Sequence, residues 1–500
     1  MKRLLSLLLV LCMLTFAAIS CEEDNIDGPP PPDIAAKYEL PESVGDRNFD
    51  GYEFRILTVG STGGSHWSAF EFHYDGNLSG DTLNEAVKTR DSEVAALFNV
   101  KISYVEKSNN ELRDYARQAI LSDSDEFDLV TAAIRQAGVL ACEGMFADMR
   151  EYEDILNLDA EYWDRKAVDS LTIDGKLYFA VNDLTQIDKQ ATNVIFFTKS
   201  MLAKYPSLTE GYENGLYTMV EKGEWTVEKM YNMVKAVSLD NGDGVQTYED
   251  AYGLGGKHAE CQSALMVGCG AIGVRKNSAG VPEYVLQESV DVFTQCFGKV
   301  YEMVNNQNNC MTSGMMLSWY EDGDIWVKGY GSMMEKNNLL FHLTNMNRCR
   351  LFRELECDFG IIPLPKANDE QEEYYSMIPS EFANSVAIPV NVKDKERACC
   401  ILEALTCIAN KTTYYAYIEQ SLKSKYLRDD DSEAMLDLIF DSRVYDLGDI
   451  FSYGDSHFGA AAVAGALSNP EAVASTLKKT QSRNEKALKR VLEDYRSGNE

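Results

Sequence analysis

Histidine is scarce. The chain has five in 500 residues, at His66, His73, His258, His342 and His457, and their spacing would not hold zinc. Also missing are a His-Glu-x-x-His run, a Gly-x-Ser-x-Gly elbow and a Gly-rich loop closed by Lys-Ser/Thr, so the hydrolytic and phosphoryl-transfer chemistries that such motifs carry have no footing. Positive charge is in short supply as well. Lys and Arg number 47 against 79 Asp and Glu, a formal net charge of -32. A chain without a basic footprint does not displace the counterions of nucleic acid, nor adhere by charge to an acidic membrane surface. No repeat of fixed period is present, and no long apolar run follows the first 20 residues.

That first run is informative. Lys2 and Arg3 precede an apolar stretch over residues 4–18, shorter than the roughly 20 residues that span a bilayer comfortably as a helix. Ala18-Ile19-Ser20-Cys21 follows and resembles the bacterial lipobox. The expectation is a signal peptide over 1–20 and lipidation at Cys21, with ordinary secretion and an incidental Cys21 as the alternative. Glu22, Glu23, Asp24 and the run Pro29, Pro30, Pro31 and Pro32 predict a disordered tether over 21–48, since polar, proline-rich sequence has too little apolar surface to fold. Such a protein sits on the extracellular face of the cell membrane, held by its N-terminal lipid.

The remainder is long enough for two or three domains, and 45% hydrophobic composition can fill their cores. Residues 52–59 alternate and predict a strand; Thr82 with Glu85 suggests a capping box opening a helix; strands over 100–105 and 127–134 flank a second helix capped by Ser108 and Glu111. Strand, helix, strand, helix, strand at these lengths predicts α/β architecture with a largely parallel sheet. Residues 182–192 are polar and precede the strong strand 194–198, which marks a crossing into a second lobe. Trp225 is expected to pack beneath the helix that follows it. In Leu239-Asp240-Asn241-Gly242-Asp243-Gly244 with Asp250, an EF-type calcium loop would lack its first ligand because Leu239 stands there, so a tight Asx/Gly turn is the preferred reading. Of the 12 cysteines, one lies in the expected signal peptide and one is Cys21; the other ten lack metal-ligand spacing, and Cys399, Cys400 and Cys407 on a predicted helix read as small buried residues.

Asp358-Phe359-Gly360-Ile361-Ile362-Pro363-Leu364-Pro365-Lys366 reads as a buried strand stopped by two prolines. An acidic loop, Tyr374, Tyr375 and a second apolar run over 382–388 follow, a pattern suited to leaving one lobe and returning to another. Beyond it the periodicity is helical to the end, including a long helix opened by Asn469 and Pro470.

The lipobox, the early α/β lobe, Gly175-Lys176-Leu177-Tyr178, Gly223-Glu224-Trp225-Thr226 before a helix, the Gly/Asp loop and the Phe359 to Lys366 run with Tyr374-Tyr375 together resemble the family 1 extracellular solute-binding proteins, the lipid-anchored receptors of ABC importers. The resemblance implies a two-lobe periplasmic-binding-protein-like fold (type II-like) with a hinge and a helix-rich C-terminal region, lobe 1 being 49–185 plus 376–500 and lobe 2 being 186–375. It implies capture of a mono- or oligosaccharide between the lobes and delivery to permease subunits, by a monomer without cofactor or metal.

Sugar recognition needs an aromatic face for the ring and carboxylates or amides for its hydroxyls. Trp67, with His66 beside it, follows a glycine-rich loop at the end of the first strand, where open α/β sheets place ligands. Asp183 lies at the first crossing, Trp319, Tyr320 and Trp326 surround a Glu-Asp-Gly-Asp turn, and Glu381 precedes the returning strand. These are the candidate ligand-binding residues, each with a packing or capping role as its alternative. The competing functions are an exported glycoside hydrolase using two carboxylates from distant loops and a structural or adhesive lipoprotein.

Overall fold

The computed structural model describes residues 34–60, 74, 79–288, 290–320, 324–453 and 456–497. The expected signal peptide, Cys21 and residues 22–33 of the expected tether lie outside the described residues. Ahead of Pro41 there is a five-residue helix, Ile34–Tyr38, where the tether was expected to be disordered; Ala35, Ala36 and Lys37 are good helix formers and escape the proline run before them.

From Pro41 onward the first element is strand β1, Tyr52–Val59, with Phe54 and Ile56 buried and Glu53 exposed. Helix α1, Thr82–Phe98, follows. Its cap is Asp81 rather than the predicted Thr82: one Asp81 carboxylate oxygen accepts from the N–H groups of Leu83 at 3.1 Å and Asn84 at 3.0 Å, which an ionised acceptor does better than a hydroxyl. Strand β2, Val100–Lys107, pairs in parallel with β1 from Tyr52↔Val100 to Val59↔Lys107. Helix α2, Asn109–Leu121, carries the predicted Ser108/Glu111 box. Strand β3, Leu129–Ala133, is buried throughout and passes straight into helix α3, Ile134–Cys142.

A second sheet begins with β4, Asn193–Thr198. Helix α4, Val227–Val237, strand β5, Tyr252–Gly256, helices α5, His258–Gly268, and α6, Val290–Asn305, and strands β6, Cys310–Thr312, β7, Leu339–Asn345, and β8, Phe359–Ile362, complete it. The strand order is β8-β4-β7-β5-β6, with β5 parallel to both neighbours and β4 antiparallel to both of its own. Trp225 is fully buried and its indole donates to the Pro363 carbonyl at 3.0 Å, tying the start of α4 to the end of β8. A Cβ on Gly253 of β5 would collide with the Val234 backbone, so glycine is what lets α4 lie directly on the strand.

Strand β9, Asn384–Ala387, then leaves this sheet's neighbourhood and pairs antiparallel with β3, giving the first sheet the order β9-β3-β1-β2. The chain thus crosses between sheets over residues 181–192 and again over 363–383. Helix α7, Lys395–Ala409, buries Cys399, Cys400 and Cys407 and packs on α1; the chain winds on in wide helical turns to Tyr426. Helix α8, Asp430–Asp441, packs on β8, helix α9, Ala460–Ala466, on α5, and the long helix α10, Val473–Ser497, on both α3 and α6. The architecture is the expected α/β type, with, among the described residues, two large mixed sheets, three two-stranded ones and a helix-rich C-terminal region that lies against both lobes.

Candidate functional site

The carboxyl ends of β3 and β5 are where the two sheets present charge to each other. In the first lobe, the Ile134 and Arg135 N–H groups at the start of α3 donate to the carbonyls of Ala383 at 2.8 Å and Ser380 at 3.0 Å, which fixes the loop before β9 beside the end of β3. Arg135 then pairs with Glu381 at 3.1 Å and donates through Nε to the Asp449 carbonyl at 3.3 Å. In the second lobe, Lys257 follows Gly256, and Glu260 stands in the first turn of α5. One Glu260 oxygen accepts from the side-chain amides of Asn193, the first residue of β4, at 2.8 Å, and Asn345, the last of β7, at 3.0 Å.

Between these groups lies a cavity of about 380 Å³. Arg135, Lys257, Glu260, Ser263 and Glu381 supply its polar wall, and Met377, Ile378, Pro379 and the half-exposed Phe382 its apolar one. Such a mixture can hold a polyol: carboxylates and guanidinium take hydroxyls while a ring face covers C–H groups. Asp449 also lines the cavity. Its carboxylate accepts from the N–H groups of Ala461 and Ala462, both at 3.1 Å, yet burial, reinforced by the neighbouring charge of Asp446, pushes it up to about 8.

A second cavity, about 210 Å³, adjoins the first crossing and is lined by Asp81 and Leu83 of the first lobe and by Gln190, Asn347 and Arg348. Arg348 follows β7. Its guanidinium carbon sits 3.7 Å from the ring centre of Trp326, and the Lys257 ammonium lies 5.8 Å from the same ring. Burial pushes the Arg348 guanidinium down to about 10 against the opposing pull of the Glu260 charge. Lys257 of the first cavity and Arg348 of the second therefore meet over one indole, and Glu260 pairs with Lys257 at 3.8 Å.

The predicted site residues scatter. Trp67 and His66 lie outside the described residues. Glu381 is in the first cavity, and Trp326 underlies the group where the two cavities meet. Trp319 and Tyr320 pack instead on Tyr248, with ring centres at 5.6 Å and 6.0 Å, and line neither cavity. Asp183 is buried at the first crossing, paired with Lys189 at 3.0 Å and accepting from Asn410 at 2.8 Å; it lines a different cavity, of about 760 Å³, with Trp163, Tyr414 and Arg443. Arg135, Lys257, Glu260, Arg348 and Phe382 escaped the sequence reading. The signal for the first three was their place just beyond a strand's carboxyl end, the same rule that picked out Trp67.

The Gly/Asp loop brings carboxylate oxygens of Asp240, Asp243 and Asp250 within 4.8 Å of one another. Asp250 accepts from the N–H groups of Asn241 at 2.9 Å and Thr247 at 2.7 Å, and Asp240 from Gly242 at 2.6 Å, the bonding of an Asx-type turn. Among the described residues no helix is long and apolar enough to cross a membrane.

No protein-family model and no curated protein sequence matches the chain. Solved structures do. The sugar-binding protein MalE from the phytopathogen Xanthomonas citri matches with a TM-score of 0.54 at 12% identity, over 89% of this chain and 98% of that one. An ABC substrate-binding protein of Listeria monocytogenes in complex with cycloalternan matches with 0.50 at 12% identity, over 89% and 98%. The maltose-binding periplasmic protein MalE of the same organism, in complex with maltose, matches with 0.50 at 14% identity, over 87% and 98%. The likeness is one of fold. The chain has the two-lobe fold of these neighbours, which are described as substrate-, maltose- and sugar-binding proteins.

Proposed function

We propose that the chain is a family 1 extracellular solute-binding lipoprotein, lipidated at Cys21, that captures a sugar or oligosaccharide and delivers it to an ABC permease. One observation carries this: the cavity between the carboxyl ends of β3 and β5, walled by residues of both lobes, in a fold shared with sugar-binding proteins. Lobe 1 is assigned to 49–185 plus 376–500, with its C-terminal helices reaching across, and lobe 2 to 186–375. Glu381 is assigned to ligand hydroxyls and Trp326 to the platform under the ligand's charged contacts, with Trp67 and His66 added from beyond the end of β1. Asp183, buried in its ion pair, serves the crossing. Closure follows from differential affinity: a saccharide touching Arg135 and Glu381 on one side and Glu260 on the other gains its full set of contacts only when both walls are near, so it shifts the population toward the closed form.

Glu260 and Glu381 line one cavity, which keeps the glycoside hydrolase reading in view. A panel of neutral and acidic mono- and oligosaccharides, assayed by thermal shift with chromatography of the recovered sugar, separates the two. At least one saccharide is expected to raise Tm and return intact; conversion to products overturns the receptor reading in favour of the hydrolase.

A further inference from the structure

Arg348 is 6% exposed, and among the described residues its guanidinium makes no hydrogen bond and no ion pair. A buried cation in that condition is costly unless something pays for it, and guanidinium groups in protein interiors are normally matched by carboxylate or carbonyl. The nearby acids are committed elsewhere. Glu260 gives one oxygen to Asn193 and Asn345 and turns the other toward Lys257, at 3.8 Å. Asp81, across the cavity, caps α1. The indole of Trp326 supports the flat face of the guanidinium at 3.7 Å, which holds the group in one orientation while leaving its N–H edge uncommitted. Asn347 beside it has a buried Oδ1 that lacks a donor. An acceptor-only planar anion and a hydroxyl donor would complete this pair of residues.

Resting on the saccharide-receptor reading above, we propose that the ligand is a uronic-acid-bearing saccharide whose carboxylate docks on the N–H edge of Arg348, with a neighbouring hydroxyl donating to Asn347. A planar carboxylate matches the fork of a guanidinium with two parallel hydrogen bonds, which a neutral sugar hydroxyl does not. The cavity holds about 210 Å³, below the roughly 300 Å³ at which pockets take a whole drug-sized ligand. It therefore takes one acidic residue of the saccharide, and the rest of the chain runs into the 380 Å³ cavity past Glu260.

The test is calorimetry on the full chain with digalacturonate and glucuronate-bearing xylo-oligosaccharides, their methyl esters, their neutral counterparts and a sugar phosphate. The methyl ester keeps the shape and removes the charge, so the comparison needs no variant. At least one acid is expected to bind, its ester at least tenfold more weakly, and Arg348→Gln to lose at least tenfold in affinity for the acid and so to close most of the gap between acid and ester. Esters or neutral sugars that bind as tightly as the acids overturn the assignment of Arg348 and leave the receptor reading standing. Preference for the sugar phosphate overturns the carboxylate in the same way. Binding of no saccharide of any kind overturns both.

Discussion

A carboxyl group such as Asp449 has a pH signature because it is poorly solvated and stands beside a second acid. Its folded-state value is raised to about 8, against 3.8 in the open chain. Between those two pH values the folded chain holds a proton that the unfolded chain has lost, so stability is fully present below the lower one and drains away as pH rises toward the upper. Tm is therefore expected to fall across that window, and Asp449→Asn to flatten the fall, as followed by calorimetric scans at stepped pH. A slope unchanged in the variant would assign the pH dependence to another group. Single residues were also where sequence reading reached least. Glu260 is one of 79 acidic side chains, and nothing local sets it apart. Its two asparagine partners come from strands that start 67 and end 85 residues away. Trp319 and Trp326 looked equivalent around one turn, and only packing sends the first to Tyr248 and the second beneath Arg348.

Elements were more legible, because periodicity and capping are local. The order of β1, α1, β2, α2 and β3, the Ser108/Glu111 box, the proline-stopped β8 and the Asn469-Pro470 start before α10 were all expected, and all are present. Misplacements came where a neighbour from elsewhere decides the matter. β3 ends at Ala133 because the chain turns into α3 at Ile134, where the Ala383 and Ser380 carbonyls take the first two N–H groups, and the wide turns beyond α7 follow no local signal. The cap of α1 was missed by one residue, and it has a consequence. Asp81 satisfies two N–H groups at the helix start, so Asp81→Ala is expected to cost about 1 kcal/mol. Urea unfolding measures it through a shift in midpoint with unchanged slope. Thr82 as the true cap would leave Asp81→Ala neutral.

At the scale of the molecule, the two sheets are joined by more than the two crossings the sequence displayed. The C-terminal helices pass from α1 to β8 and on to α5 and α6, and Arg443 of this region pairs with Asp188 in the first crossing at 2.6 Å. Hydrophobic periodicity says that these helices bury one face but not which sheet receives it, which is why the sequence assigned them as a block. The consequence concerns motion. A buried ion pair holds its geometry strongly, since either partner left alone would be a stranded charge, so under the proposed receptor function Asp188, Arg443 and the Asp183–Lys189 pair are the fixed point about which the walls of the 380 Å³ cavity would approach. A saccharide found in the panel is then expected to reduce the radius of gyration in small-angle scattering. At about 100 times its Kd it should add about 2.7 kcal/mol to the unfolding free energy, the value for a ligand that binds the folded chain alone. Stabilisation of that size with an unchanged scattering curve would mean that the cavity is filled without movement, and the closing of two lobes would have to be abandoned while the binding site stayed.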